Sequence, residues 1–427
     1  MLKRIRGRNP KMSGFNRRTF LALGGVSAVG AAAAACSQEE SRGTSGDIDG
    51  AANDEQIIDF AGEHQAGIIT PMQNSLHFAA FDMDEKASRD DLVDLLQRWT
   101  DSARRLTLGG EVSAKGAFGG GADFPPDDSG EAFDLGPSAL TITIGFGRSL
   151  FRDQFGLADK LPTEFTAMPP MTNDFLNREQ SDGDICIQAC ANDPQVATHA
   201  IRNLTRLAVP DAALRWSQIG FGKAAVTTRE ESTPRNLFGQ KDGTANIRAE
   251  DADALDEHVW IPASSSQPWA AGGSYLTARR IAMNIEVWDT LQLKEQERVT
   301  GRDKFEGAPL TGTNEFDEPD FAATNERGRP VIDHGSHVFN VHPDQNGGIR
   351  MLRRAFNFVD GSNEQGRLDA GLFFMAFTRT VDRFATVHQS MSRDEMLLEY
   401  LKTTKTGTYL IPPGVSETGF IGEGMFS

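Results

Sequence analysis

The chain has 427 residues, 39% hydrophobic and 24% charged, a globular composition with material for two or three domains. Its 60 acidic against 43 basic side chains give a net charge of −17. A surface of that sign repels phosphate backbones and excludes nucleic acid as a partner.

The first 36 residues depart from the rest. Lys3, Arg4, Arg6, Arg8, Lys11, Arg17 and Arg18 form a basic run without acids, and an Ala/Gly-rich apolar stretch follows over residues 20–35. This reads as an export signal, because the apolar run is short for a bilayer span of about 20 residues. "NRRTFL" (16–21) resembles the twin-arginine consensus, the address of proteins exported already folded. "AAAC", ending at Cys36, fits either a lipoprotein cleavage site carrying a lipid anchor or ordinary cleavage after an A-x-A motif. The expected locations are periplasmic, extracellular or cell-surface. Loss of the leader removes seven basic residues and takes the net charge to −24. It leaves Cys186 and Cys190, which on a strand lie about 13 Å apart, too far for a disulfide. They read as core thiols, with no zinc spacing around them. Residues 37–55, polar and poor in large apolar side chains, read as a flexible tether.

Ordered elements begin at residue 56. Residues 67–83 have strand character, and 90–106 form a helix with Leu92, Leu95, Leu96, Trp99, Ala103 and Leu106 on one face. A Gly-, Pro- and Asp-rich loop covers 114–137. Strands are expected at 139–147, 184–191 and 213–222, with a helix over 193–208 opened by Asp193-Pro194. The order recurs in the second half. Strands are expected at 278–290, 336–341, 349–358, 370–377 and 407–411, a short helix at 293–302 and a longer one over 382–404. Both halves carry the β-α-β-β-α-β order of a ferredoxin-like unit, with an extra strand in the second. The expected fold is α+β, with units over residues 56–225 and 226–427.

In "RNLFGQKDGTANI" (235–247) a carboxylate, Asp242, stands in a polar loop between Gly239 and Gly243. A plain turn accounts for the glycines. Three of the eight histidines cluster in "DHGSHVFNVHP" (333–343). Strand alternation places His334, Ser336, Asn340 and His342 on one face and His337, Phe339 and Val341 on the other. His337, flanked by apolar neighbours, suits an axial iron ligand, and a hydrogen-bonded core histidine stays open beside that reading. A zinc cluster fits poorly, since His334 and His337 face opposite ways.

Gly239-Gln240-Lys241-Asp242-Gly243 matches the GxxDG motif of the dye-decolourising peroxidases, and stretches over residues 65–414 resemble that family. They include "HQAGIITPMQ", "GRDKFEGAPL", "SHVFNVHPDQNGGIRMLRRAFNF" and "GLFFMAFTR". With the leader, the resemblance points to the exported subgroup of deferrochelatase/peroxidases, which accompany iron-uptake systems. It implies one haem b per chain, held mainly by the C-terminal unit. His337 is then the proximal ligand, and Asp242 stands over the distal face with Gly243, Thr244 and Ala245 along the porphyrin. His342, Pro343 and Asp344 come near the haem edge, and Arg353 is the distal arginine, with Arg354 turned away by strand alternation. At Phe339 the chain departs from the family's usual arginine.

The resemblance implies an oxidoreductase that reduces hydrogen peroxide and oxidises bulky phenolic or dye-like donors. Two alternatives stay open: release of iron from haem with the porphyrin intact, and non-catalytic haem binding or delivery. Iron-uptake partners and homo-oligomerisation are also left open. Glu326 is the expected carboxylate partner of His337, with Asp333 and Asp289 behind it. Trp260, Trp269 and Tyr400 are candidate electron relays, each equally readable as a packing aromatic.

Overall fold

A computed structural model of the chain describes residues 56–427. The leader, its twin arginines, Cys36 and the tether lie outside the described residues. Among those described, no helix is long and apolar enough to cross a membrane.

The alternation of β1 (Ser75–Met83) sorts its side chains between two cores. Leu76, Phe78 and Ala80 belong to one apolar cluster, and Ala79, Phe81 and Met83 to another. The second cluster is covered by α1 (Arg89–Thr107), which buries Leu92, Leu95, Leu96, Trp99, Ala103 and Leu106 as their spacing predicts. Ser88 caps α1 in a reciprocal box with Asp91, acids occupy its first turn and Arg104 and Arg105 its last. Next come β2 (Thr141–Gly147) and β3 (Ile185–Ala191), buried along their whole lengths. In α2 (Pro194–Ala208) Asp193 caps the Gln195 amide at 2.6 Å with Pro194 at the first helical position. Strand β4 (Ala212–Lys223) completes the first unit.

The second half begins with α3 (Ala252–His258) and β5 (Ser274–Met283), then the short helices α4 (Ile285–Trp288), α5 (Leu293–Thr300) and α6 (His337–Val341). It continues with β6 (Leu352–Ser362), β7 (Leu368–Thr378), α7 (Val381–Asp394) and β8 (Leu401–Ile411). All strand pairings are antiparallel. The strand order is β4-β1-β3-β2 in the first unit and β6-β7-β5-β8 in the second, the same ferredoxin-like arrangement twice. β2 pairs with β8 and β4 with β6, so the eight strands close into one barrel without a free sheet edge. Its interior is apolar and aromatic, with Phe78, Trp216, Phe356, Phe373 and Tyr409 buried there beside Cys186 and Cys190. Both thiols are free.

Three local expectations are corrected. Residues 337–341 form helix α6 instead of the extra strand, so both units have four strands. Five apolar-polar residues suit either period, and here Ser336, extended at the helix start, and Pro343 beyond its end set the boundaries. The strand expected over 278–290 stops at Met283, and residues 285–288 turn into α4. The helix expected over 382–404 ends at Asp394, and residues 401–404 open β8.

Candidate active site

The Asp242 turn is assembled by its own backbone. The Asn236 amide donates to Gln240 O at 3.0 Å, the Gly239 amide to Asn236 O at 2.9 Å and the Asp242 amide to Pro234 O at 2.9 Å. Gly239 has φ +74° and Gly243 φ +108°, conformations that L side chains resist. A Cβ on Gly243 would lie 3.1 Å from Ala225 Cα and 3.2 Å from Val226 N. The glycine therefore lets the turn back directly onto the chain that leaves β4. Thr244 is half-buried and Ala245 exposed.

This packing aims Asp242 at β6. Its Oδ1 accepts from Arg353 Nη1 at 2.9 Å, and its Oδ2 from Asn236 Nδ2 at 3.2 Å. The side chains are 14% and 23% exposed for Asp242 and Arg353, so the pair is largely but not wholly withdrawn from solvent. Alternation along β6 sends Arg354 the other way, into the barrel, where it is fully buried and donates to Gln73 Oε1 at 2.6 Å and to Thr70 O. Asn246 joins turn and strand. Its Oδ1 accepts the Arg353 amide at 2.7 Å, and its Nδ2 donates to Arg353 O at 2.8 Å and Val226 O at 2.7 Å. Asn246 is a residue of the candidate site that sequence reasoning missed; its place three residues after Gly243 was the available signal.

His337 opens α6. Its Nδ1 meets Glu395 Oε1 at 2.5 Å, and Glu395 has no exposed side-chain surface. Glu326 and Asp289 are exposed, and Asp333 is engaged by Arg298 at 2.7 Å and by the Gly335 amide at 2.9 Å, so none of the three expected carboxylates is the partner. Glu395 lies directly after α7, 58 residues along the chain, where only tertiary packing could bring it. Burial pushes the imidazole pKa down, but the charge and hydrogen bond of Glu395 and the charge of Asp242 outweigh that and raise it, with Arg353 opposing. The ring keeps 34% exposure, and its Nε2 has no hydrogen-bond partner among the described residues. An imidazole with one nitrogen fixed on a buried carboxylate and the other free is suited to axial ligation of iron. The donor set therefore fits a haem.

The remaining expected residues lie further out. His342 accepts the Asp344 amide at 3.3 Å through Nδ1 and packs edge-on to Phe321, while Asp344 is exposed. No hydrogen bond or ion pair of His342, Pro343 or Asp344 reaches Asp242, His337 or Arg353. Phe339 leaves the face that strand alternation gave it and stacks on His334, with ring centroids 4.4 Å apart. A cavity of about 550 Å³ is lined by Gly335, Phe339 and Asn340 around His337 in sequence, and by Asp394 and Met396 around Glu395. Asp242, His337 and Arg353 are not among its lining residues. Trp260 stacks on His64 at 3.7 Å, Trp269 on Phe151 at 6.1 Å, and Tyr400 packs edge-on to Trp288 at 5.3 Å.

Family models for the N-terminal and C-terminal parts of Dyp-type peroxidases match residues 65–222 and 233–416. The chain is 34% identical to a deferrochelatase of Escherichia coli strain K12 over 406 residues, covering 94% of each protein. Among solved structures, ferric DtpA from Streptomyces lividans superposes with TM-score 0.80 at 36% identity, covering 87% of this chain and 97% of that one. A DyP-type peroxidase from Cellulomonas bogoriensis does so with TM-score 0.78 at 33% identity, covering 88% and 99%. The matched models together span most of the chain, which belongs to the Dyp-type peroxidase family and is a haem-dependent oxidoreductase.

Proposed function

We propose that the protein is an exported haem b peroxidase with one haem per chain, reducing hydrogen peroxide at the expense of bulky phenolic or dye-like donors. The observation that carries this reading is the Asp242–Arg353 pair, 2.9 Å apart, together with an imidazole at His337 fixed through Nδ1 on buried Glu395 and without a partner on Nε2 among the described residues. Haem iron held there supplies a Lewis-acidic centre for peroxide and a store for two oxidising equivalents.

The chain's own residues do the rest. His337 would hold the iron through Nε2, and Glu395 on Nδ1 orients the ring and raises its basicity. Asp242 takes the first proton of peroxide and returns it to the departing oxygen as water forms. Arg353 stabilises the negative charge that develops as the O–O bond breaks. Gly243, Thr244, Ala245, His342, Pro343 and Asp344 are the further residues that would hold the cofactor. Two one-electron donors and two protons complete the reduction of one peroxide to two waters. Domain boundaries at 56–225 and 226–427 put this chemistry in the C-terminal unit. The leader directs twin-arginine export, with Cys36 a candidate lipid site and an iron-uptake system the candidate partner.

The test is to load the protein with haem and add peroxide with a phenolic donor. Two donors oxidised per peroxide is the expected result, and absence of donor oxidation by fully loaded protein overturns it. A second reading has one specific observation behind it, the 34% identity to the Escherichia coli deferrochelatase. Appearance of iron-free porphyrin fluorescence under reducing, peroxide-free conditions would favour iron release. Retained haem with no peroxide turnover would favour simple haem binding or delivery.

A further inference from the structure

Glu315 lies in the irregular segment between α5 and α6, far in sequence from the Asp242 turn, yet its carboxylate brackets that turn. Its Oε2 accepts from Lys241 Nζ at 2.5 Å, and its Oε1 from Thr244 Oγ1 at 2.9 Å. Its backbone carbonyl accepts from Arg302 Nη1 at 2.9 Å, and the same Nη1 holds Gly307 O at 2.7 Å. The Glu315 side chain is 8% exposed. Burial alone would raise its pKa, but bonds from Lys241 and Thr244 and the Lys241 charge outweigh burial and keep it below the ordinary carboxylate range.

We propose that Glu315 is a positioning residue for Asp242, acting through Lys241 on one side of the turn and Thr244 on the other. This rests on the reading of Asp242 as the acid–base group. The turn has a second anchor in Asn246, which fastens its far end to Arg353, and Arg248 donates to Gly243 O at 3.2 Å. Between Lys241 and Asn246 the chain is irregular, with a glycine at φ +108°, so its own backbone does little to fix where the Asp242 carboxylate points. Side-chain ties on both flanks supply that restraint. A charge-assisted bond from Lys241 is the stronger of the two. It also holds the Lys241 ammonium on Glu315, leaving Arg353 as the cation bonded to Asp242. Proton transfer is steep in geometry, and a displacement of about 1 Å can cost on the order of 10²-fold in rate.

The experiment compares Glu315→Ala, Glu315→Gln and Asp242→Asn with the parent by two readouts. The first is amide hydrogen exchange of the haem-free protein, where the Asp242 and Asn246 amides report the turn because they bond to Pro234 O and Gly243 O. The second is the rate of the peroxide-dependent spectral change of the haem-loaded protein. Expected for Glu315→Ala is faster exchange at residues 241–246 with β6 unchanged, and a peroxide step about tenfold slower or more. Glu315→Gln keeps a bond to Thr244 but loses the ion pair, so a smaller loss is expected; it serves as the test if the alanine variant does not fold. Unchanged exchange over 241–246 overturns the proposal. So does a parental peroxide rate in Glu315→Ala when Asp242→Asn is slow. Fast exchange in Glu315→Ala with a parental rate in Asp242→Asn would instead leave the tie standing and remove Asp242 from the chemistry.

Discussion

The two ferredoxin-like units share a strand order but spend their connections differently. In the first, the long capped helices α1 and α2 lie over the sheet and close an extensive apolar core around Trp99, Phe81 and Leu204. In the second, the crossover from β5 to β6 is carried by α4, α5 and α6, none longer than 8 residues, with irregular chain between them. The core at that end is small, with Phe238, Met283, Trp288 and Val299 buried. Apolar surface is given up, and polar side chains occupy the space: Glu315, Asn246, Arg353 and the His337–Glu395 pair. On the proposed function, the same topology stabilises in one half and presents chemistry in the other. If so, substitutions in the second unit should alter cofactor and peroxide behaviour, and substitutions in the first should alter folding alone.

The largest expected effect is His337→Ala, which should abolish stable haem retention while His334→Ala and His342→Ala keep it. Titration of each haem-free variant with haem, followed by gel filtration and an absorption spectrum, decides the matter. A normal histidine-ligated spectrum in the variant lacking His337 would break the contrast at its centre. Next is Asp242→Asn, expected to keep haem and slow the peroxide step by about 10²- to 10⁴-fold, the usual range for general acid–base catalysis. Arg353→Leu should slow the same step by roughly 10²- to 10³-fold. The two losses need not add, since both act on one O–O cleavage. Stopped-flow mixing with peroxide in the absence of donor measures each.

Much of the first unit was legible because its elements are long and regular. Leu92, Leu95, Leu96 and Trp99 repeat at helical spacing, and their burial follows from that period. Strand alternation also separated Arg353 from Arg354 correctly, since β6 is a true strand with one face in the barrel. It misled at residues 336–341, where a helix of 5 residues is too short for its period to show. His337 was singled out there by an alternation that the helix does not have, so that argument carries no weight. Glu395 was illegible for a different reason. Its role depends on α7 packing beside α6, and a carboxylate at a helix end has no local signature that names a partner 58 residues away.

Glu395→Gln sharpens the comparison at its next level. The glutamine keeps the length to reach His337 Nδ1 but not the charge. Loss of such a partner typically costs about 10- to 100-fold in metal affinity or activity. Haem should therefore bind more weakly, and the ligated iron should become easier to reduce, because a less basic imidazole donates less to it. Haem-transfer kinetics to an acceptor protein and a redox titration check both parts. Unchanged values would reduce Glu395 to a packing residue and leave His337 without electronic support.

The smallest effect sets two serines at helix starts against each other. Ser88 opens α1, and its hydroxyl accepts the Asp91 amide at 3.2 Å while Asp91 Oδ2 accepts the Ser88 amide at 2.8 Å. Ser336 opens α6 without a side-chain cap bond, and its fully buried hydroxyl has no partner among the described residues. Ser88→Ala should cost about 0.5–2 kcal/mol in urea unfolding of the haem-free protein, as lost N-caps do. Ser336→Ala should be neutral or stabilising, because it removes a buried hydroxyl that makes no bond. The Ser88 effect also carries a pH signature. The backbone and hydroxyl of Ser88 hold the Asp91 carboxyl below its ordinary pKa, so that contribution is present above the unfolded value and lost as pH falls through the lowered one. Ser88→Ala removes only the hydroxyl's share, since the Ser88 amide still bonds Asp91. The gap between the parent and Ser88→Ala should accordingly narrow slightly in acid, while the Ser336 comparison stays flat. A cost at Ser336 equal to that at Ser88 would mean that α6 is built and capped like α1, and the division of labour between the two units would fail at the helix that carries His337.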